Sequence, residues 1–139
     1  MRIEEEIKLD YSDVLFRPKR STLKSRSEVD LKRKYTFKHS KFTWQGIPII
    51  ASNMDGVGEI GVASKLAKYN MMTALTKQHG EQDIKFLKKN KSIENYVALS
   101  CGTSKESYSR LNNLLKNNPK FKFICIDVAN GYSENFSFF

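Results

Sequence analysis

From Ile47 onward the chain alternates short apolar runs with amphipathic stretches, and no other feature restricts its possible folds as much. That alternation is the signature of βα units; a meander would join its runs by tight turns, and a bundle would lack the runs altogether. Four runs stand out, Ile47 to Met54, Met71 to Lys77, Tyr96 to Cys101 and Phe121 to Val128. Pro48 falls near the start of the first, where a missing N–H does least harm to a strand. Between the runs, Ile60, Ala63, Leu66 and Ala67 share one helical face. After Gly80, Ile84 and Leu87 point inward with lysines outward. After Gly102, Thr103 and Glu106 form a capping-box signature ahead of Tyr108, Leu111 and Leu115. Pro119 stops that helix, and Asn130-Gly131 marks a turn.

Strands joined by helical crossovers run parallel and are covered on at least one face, which leaves an open doubly wound sheet or a barrel. The first βα turn, Asn53-Met54-Asp55-Gly56-Val57-Gly58, carries neither GxGxxG nor a P-loop, and this puts the α/β barrel ahead. A (β/α)8 TIM barrel needs about 250 residues, so four βα units amount to about half of one. The expectation is the N-terminal part of a single barrel domain. A basic arm spans 1–45, the first four barrel strands span 46–139, and the chain looks truncated where the fourth helix should begin.

The net charge of +9 is concentrated between Arg17 and Lys34. An excess of this size suits nucleic acid, acidic lipid or a phosphorylated small molecule, and a solvated arm is the commoner outcome. Without a helix-turn-helix, zinc or RNP-type motif, nucleic acid is not expected. No apolar run reaches the roughly eighteen residues of a membrane span, and the acidic start Glu4-Glu5-Glu6 is unlike a signal peptide. The expected setting is the cytoplasm, with no membrane partner. Cys101 and Cys125 lack metal-ligand spacing and read as reduced, buried thiols; neither has a flanking basic residue or glycine-rich loop to favour thiolate.

In a barrel the reacting groups stand where strands end, which nominates Asn53, Asp55, Lys77, Ser100 and Asp127. Lys77 and Asp127 follow the second and fourth runs, and alternate strands feed the same layer, so the two charges are expected to face one another. Lys77 then serves as a cation for phosphate or a polarised group, and Asp127 as an acceptor for ribose hydroxyls or a carboxamide. A structural ion pair explains the same pattern equally well. Ser100 reads as a small buried residue. His39 lies in the basic arm and His79 in a loop, without a partner at recognisable spacing. No residue of the chain presents itself as catalytic.

Three long segments carry a resemblance. Asp13-Val14-Leu15-Phe16-Arg17-Pro18-Lys19-Arg20-Ser21-Thr22-Leu23-Lys24-Ser25-Arg26-Ser27, Pro48 to Asp55, and Cys125-Ile126-Asp127-Val128-Ala129-Asn130-Gly131-Tyr132-Ser133 resemble GMP reductases, in register along essentially the whole chain. The related IMP dehydrogenases share an Arg-Pro and a Met-Asp pattern but are less similar over the first and third segments. The resemblance implies a TIM barrel and NADPH-dependent reductive deamination of GMP to IMP and ammonia. A cysteine thiolate adds to the purine C2, ammonia leaves, and hydride from the nicotinamide reaches the same carbon. By position it implies NADPH contacts from Ser25, Arg26, Lys77, Asp127, Val128 and Ala129, with Met54 near the nucleotide. It also implies a homotetramer, and a catalytic cysteine loop and monovalent-cation (potassium) site later in the family's chain, matched by neither cysteine here. Where the family usually flanks the lysine with histidines, this chain reads Thr76-Lys77-Gln78-His79.

Overall fold

The computed structural model describes residues 3–137, which fall into two compact units, Met1–Asp30 and Leu31–Phe139. In the first, Asp10 caps a 3-10 turn over Tyr11–Asp13, its Oδ1 accepting the Tyr11 N–H at 2.6 Å while Asp13 Oδ2 accepts the Asp10 N–H at 2.8 Å. A second 3-10 turn, Arg26–Glu28, starts at Ser25. Neither turn contains a buried residue.

The second unit opens with a hairpin, β1 (Arg33–Thr36) and β2 (Thr43–Gly46), paired antiparallel. The basic arm expected over 1–45 takes in all of this hairpin except Gly46, because lysine and arginine mask the short strand β1. By its contacts the hairpin belongs instead with the βα units. Trp44 and Gly46 alternate inward along β2. The Trp44 indole donates to the Asn95 carbonyl at 2.9 Å, and Phe37 and Phe42 each meet the Phe123 ring edge-on at 5.8 Å.

The remaining strands, β3 (Ile50–Ala51), β4 (Met72–Ala74), β5 (Val97–Cys101) and β6 (Phe123–Ile126), form a parallel sheet in sequence order. The four expected runs are therefore the four strands, each shorter than its run. β3 is shortest, since Pro48 supplies no N–H and Ile49 spends its own on Ile47 O at 2.7 Å. Three helices connect them, α1 (Ile60–Lys68), α2 (Glu81–Leu87) and α3 (Lys105–Asn117), and a short α4 (Glu134–Ser137) comes after β6.

Side chains alternate across the sheet. Leu75, Val97, Leu99 and Cys101 join Ala63, Ile84, Leu87, Leu111 and Phe121 in one core on the helical side. Met72, Ala74, Ala98 and Ser100 take the opposite face with Phe123 and Cys125, by register. Cys101 is buried as expected, but Cys125 is half-buried. On α3, Leu111 is buried and Leu115 packs against the core, whereas Tyr108 stands 53% exposed. The cap of α3 is Ser104, whose Oγ accepts the Ser107 N–H at 3.2 Å; the expected Thr103 precedes it by one residue.

Candidate functional site

Parallel strands that all receive their helices on the same side present their C-terminal ends together, and the loops leaving β4, β5 and β6 meet there. Thr76 fixes the first loop by donating its N–H to Gly58 O at 2.9 Å. Asp127 fixes the last by donating to Cys101 O at 2.7 Å, one step beyond the end of β6. Lys77 Nζ and Asp127 Oδ2 then stand 3.3 Å apart, bridging the strand that separates them. The expected convergence of these two charges is present. Their side chains are 56% and 38% exposed, and an ion pair so open to water contributes about 0–1 kcal/mol. Stability alone is a weak reason for the pair.

Both residues line a cleft of about 600 Å³ together with Val128 and Ala129. Gly102, Thr103, Ser104 and Ser107, from the end of β5 and the first turn of α3, complete one wall, and Asn130 and Ser133 another. Ser107 ties that wall together, its Oγ accepting the Gly102 N–H at 2.7 Å. The N-terminus of α3 adds a partial positive charge. In that first turn the Glu106 carboxyl is held below the usual range by its own backbone N–H and then by the Ser104 hydroxyl. One cation, one carboxylate and a row of hydroxyls around a concave space match a ligand that is both anionic and hydroxylated.

The other nominated residues go elsewhere. Asn53 and Asp55 do not line the cleft, and Met54 is 63% exposed. Ser100 Oγ is buried without a hydrogen-bond partner among the described residues. Ser25 and Arg26 belong to the first compact unit, where Ser25 Oγ accepts the Ser27 N–H at 3.3 Å. Burial, and then its neighbour Cys125, push the Cys101 thiol up, which disfavours thiolate. The α3 hydroxyls escaped the sequence reading because the Thr103 and Glu106 pattern has a sufficient explanation as a helix cap.

His79 is a correction. It has partners: Nδ1 lies 3.3 Å from Asp83 Oδ2, at i+4, and Nε2 lies 3.2 Å from Glu59 Oε2. The i+4 relation was visible in the sequence, though it spans the start of α2; the Glu59 contact depends on the fold.

Residues 8–137 match the IMP dehydrogenase / GMP reductase domain. The chain is 53% identical over 138 residues to a GMP reductase of Yersinia pestis (strain Pestoides F), covering 98% of this chain and 40% of that protein. It is 49% identical over 141 residues to a GMP reductase of Tolumonas auensis, covering 100% of this chain and 41% of the relative. The chain thus spans about two fifths of the length of these curated relatives. A match of this extent, on a parallel βα sheet with charged strand ends meeting at one cleft, makes the chain a member of the IMP dehydrogenase / GMP reductase family.

Proposed function

We propose that the intact protein is a GMP reductase, converting GMP to IMP and ammonia with NADPH, and that these residues supply the cofactor side of a (β/α)8 barrel. The observation that carries the reading is the Lys77–Asp127 pair across the cleft, in a chain about half identical to proteins named GMP reductase. When bound, NADPH supplies hydride. Lys77 would meet an anionic or polarised group of the cofactor and Asp127 would accept hydrogen bonds from its hydroxyls or carboxamide, with Val128 and Ala129 lining the same cleft. Ser25 and Arg26, within the first unit, offer a hydroxyl and a guanidinium of the kind that would suit a cofactor phosphate.

The nucleophilic cysteine of this reading is neither Cys101, whose burial opposes ionisation, nor Cys125. On this reading it lies outside these residues, as does the potassium site, and residues 1–139 by themselves are not expected to turn over GMP. The assembled form is a cytoplasmic homotetramer. A chain extended to barrel length tests the proposal: with GMP it should oxidise NADPH and release IMP and ammonia, while the shorter chain should not. A folded extended chain that leaves NADPH untouched removes the proposal. One that instead reduces NAD in the presence of IMP belongs to the dehydrogenase branch.

A further inference from the structure

The segment Thr76 to Gly80 carries Lys77 from the end of β4 to the start of α2, and residues at three helices hold it. Arg110 of α3 donates Nη2 to the carbonyls of Gln78 at 2.6 Å and His79 at 2.8 Å. The Gly80 N–H goes to Asp83 Oδ2, in the first turn of α2, at 3.0 Å. The His79 ring, with its side chain 15% exposed, stands between that carboxylate at 3.3 Å and Glu59, the residue before α1, at 3.2 Å. The Glu59 contact has ion-pair distance without hydrogen-bond alignment, and buried Nε2 has no hydrogen-bond partner among the described residues.

Ionised carboxylates only accept hydrogen bonds, whereas a neutral imidazole has one donor nitrogen and one acceptor. In either neutral tautomer one ring nitrogen therefore turns its lone pair toward an anion. The imidazolium alone presents an N–H toward both carboxylates. The charged groups facing this position are Glu59 before α1, Asp83 on α2 and Arg110 on α3.

We propose that His79 is a positioning residue for Lys77: as an imidazolium bridging Glu59 and Asp83 it fixes the Thr76 to Gly80 segment and thereby holds the Lys77 ammonium at the cleft. The inference rests on the reading of Lys77 as a cofactor contact. It adds a proton-dependent latch behind the cleft, made by a residue that touches no ligand.

The test has two arms. In the 139-residue chain, the His79 ring and the backbone amides of Lys77, Gln78 and Gly80 are followed by NMR from about pH 5 to pH 8, the span in which histidine changes charge. His39, exposed in the hairpin turn, is the control. Ring and amides should share one titration curve, absent in His79→Gln and displaced in Glu59→Gln, which keeps the histidine should the first variant fold poorly. Amides that stay still while the ring titrates overturn the latch. In the barrel-length protein, KM for NADPH should rise at least fivefold across the same titration with kcat little changed, and the rise should vanish in His79→Gln. A flat KM with intact NADPH turnover overturns the positioning role. Loss of NADPH turnover at every pH, with the shared titration intact, counts against the proposed function instead.

Discussion

Lys77 Nζ and Asp127 Oδ2 lie 3.3 Å apart although their strands, β4 and β6, are separated in the sheet by β5. The pair costs little to break because water screens it. Lys77→Met and Asp127→Asn should each change the unfolding free energy by less than about 1 kcal/mol, read by urea denaturation. In the barrel-length protein the same substitutions should weaken NADPH binding about tenfold or more, equivalent to about 1.4 kcal/mol. A large stability loss with unchanged affinity would return the pair to a structural role.

Gly58 and Gly61 should respond oppositely to alanine. A Cβ on Gly58 would meet Ala74 O at 2.5 Å, with Asn53 Cα and Ser52 O at 3.0 Å. All three are backbone atoms and cannot swing aside. Gly58→Ala should cost about 1–3 kcal/mol and disturb the bond from Thr76 N–H to Gly58 O that leads into Lys77. Gly61 lies inside α1 with nothing near its Cβ position. Gly61→Ala should therefore stabilise by about 0.5–1 kcal/mol. Melting curves of the two variants distinguish them.

The Asp83 carboxyl is held below the usual range, chiefly by the Gly80 N–H and further by His79. A carboxyl depressed in the folded state adds stability above its unfolded value, about 3.9, and that stability fades as pH falls through the folded value. Asp83→Asn should thus melt earlier than the parent at neutral pH. The gap should close as the buffer is made acidic, below the ordinary aspartate range. A gap that stays constant with pH would assign the effect to shape instead of charge.

Thiol reactivity should separate the two cysteines. Burial, and secondarily Cys125, raise Cys101, so the native chain should alkylate first at half-buried Cys125 and at Cys101 only on unfolding. The stability that Cys101 contributes is complete below its unfolded value, about 8.5. It declines as pH rises through that value toward the folded one, because the unfolded thiol ionises first. Mass spectrometry after timed alkylation gives the order.

The sheet was legible in the sequence because each strand interleaves with an amphipathic helix. Ile84, Leu87 and Leu111 sit where helical spacing puts them, and Lys77 and Asp127 meet because strand parity carries through the sheet. Strand lengths were less legible, since local bonds such as Ile49 N–H to Ile47 O compete with the ladder. β1 was hidden by charge: a strand reading Arg33-Lys34-Tyr35-Thr36 is exposed along its length and shows no run of apolar residues, and β2, with Trp44 its one large apolar residue, is too short to show a pattern. Ser104 in place of Thr103 is a shift of one along a run of hydroxyls, which pattern does not resolve. The link from His79 to Glu59 requires two helix starts to be neighbours, a relation that exists only after folding.

Trp44 is the single tryptophan of the chain, 5% exposed, with its ring 6.1 Å from Tyr35 and 6.3 Å from Tyr96. Its emission is therefore a built-in gauge of whether the hairpin is seated on the sheet. Tyrosine-excited light from Tyr96, beside β5, should reach it by energy transfer in the seated form, whereas Tyr35 is its partner within the hairpin. Unfastening that junction would dim the transfer and redden the emission, giving an optical signal specific to the second unit without any label.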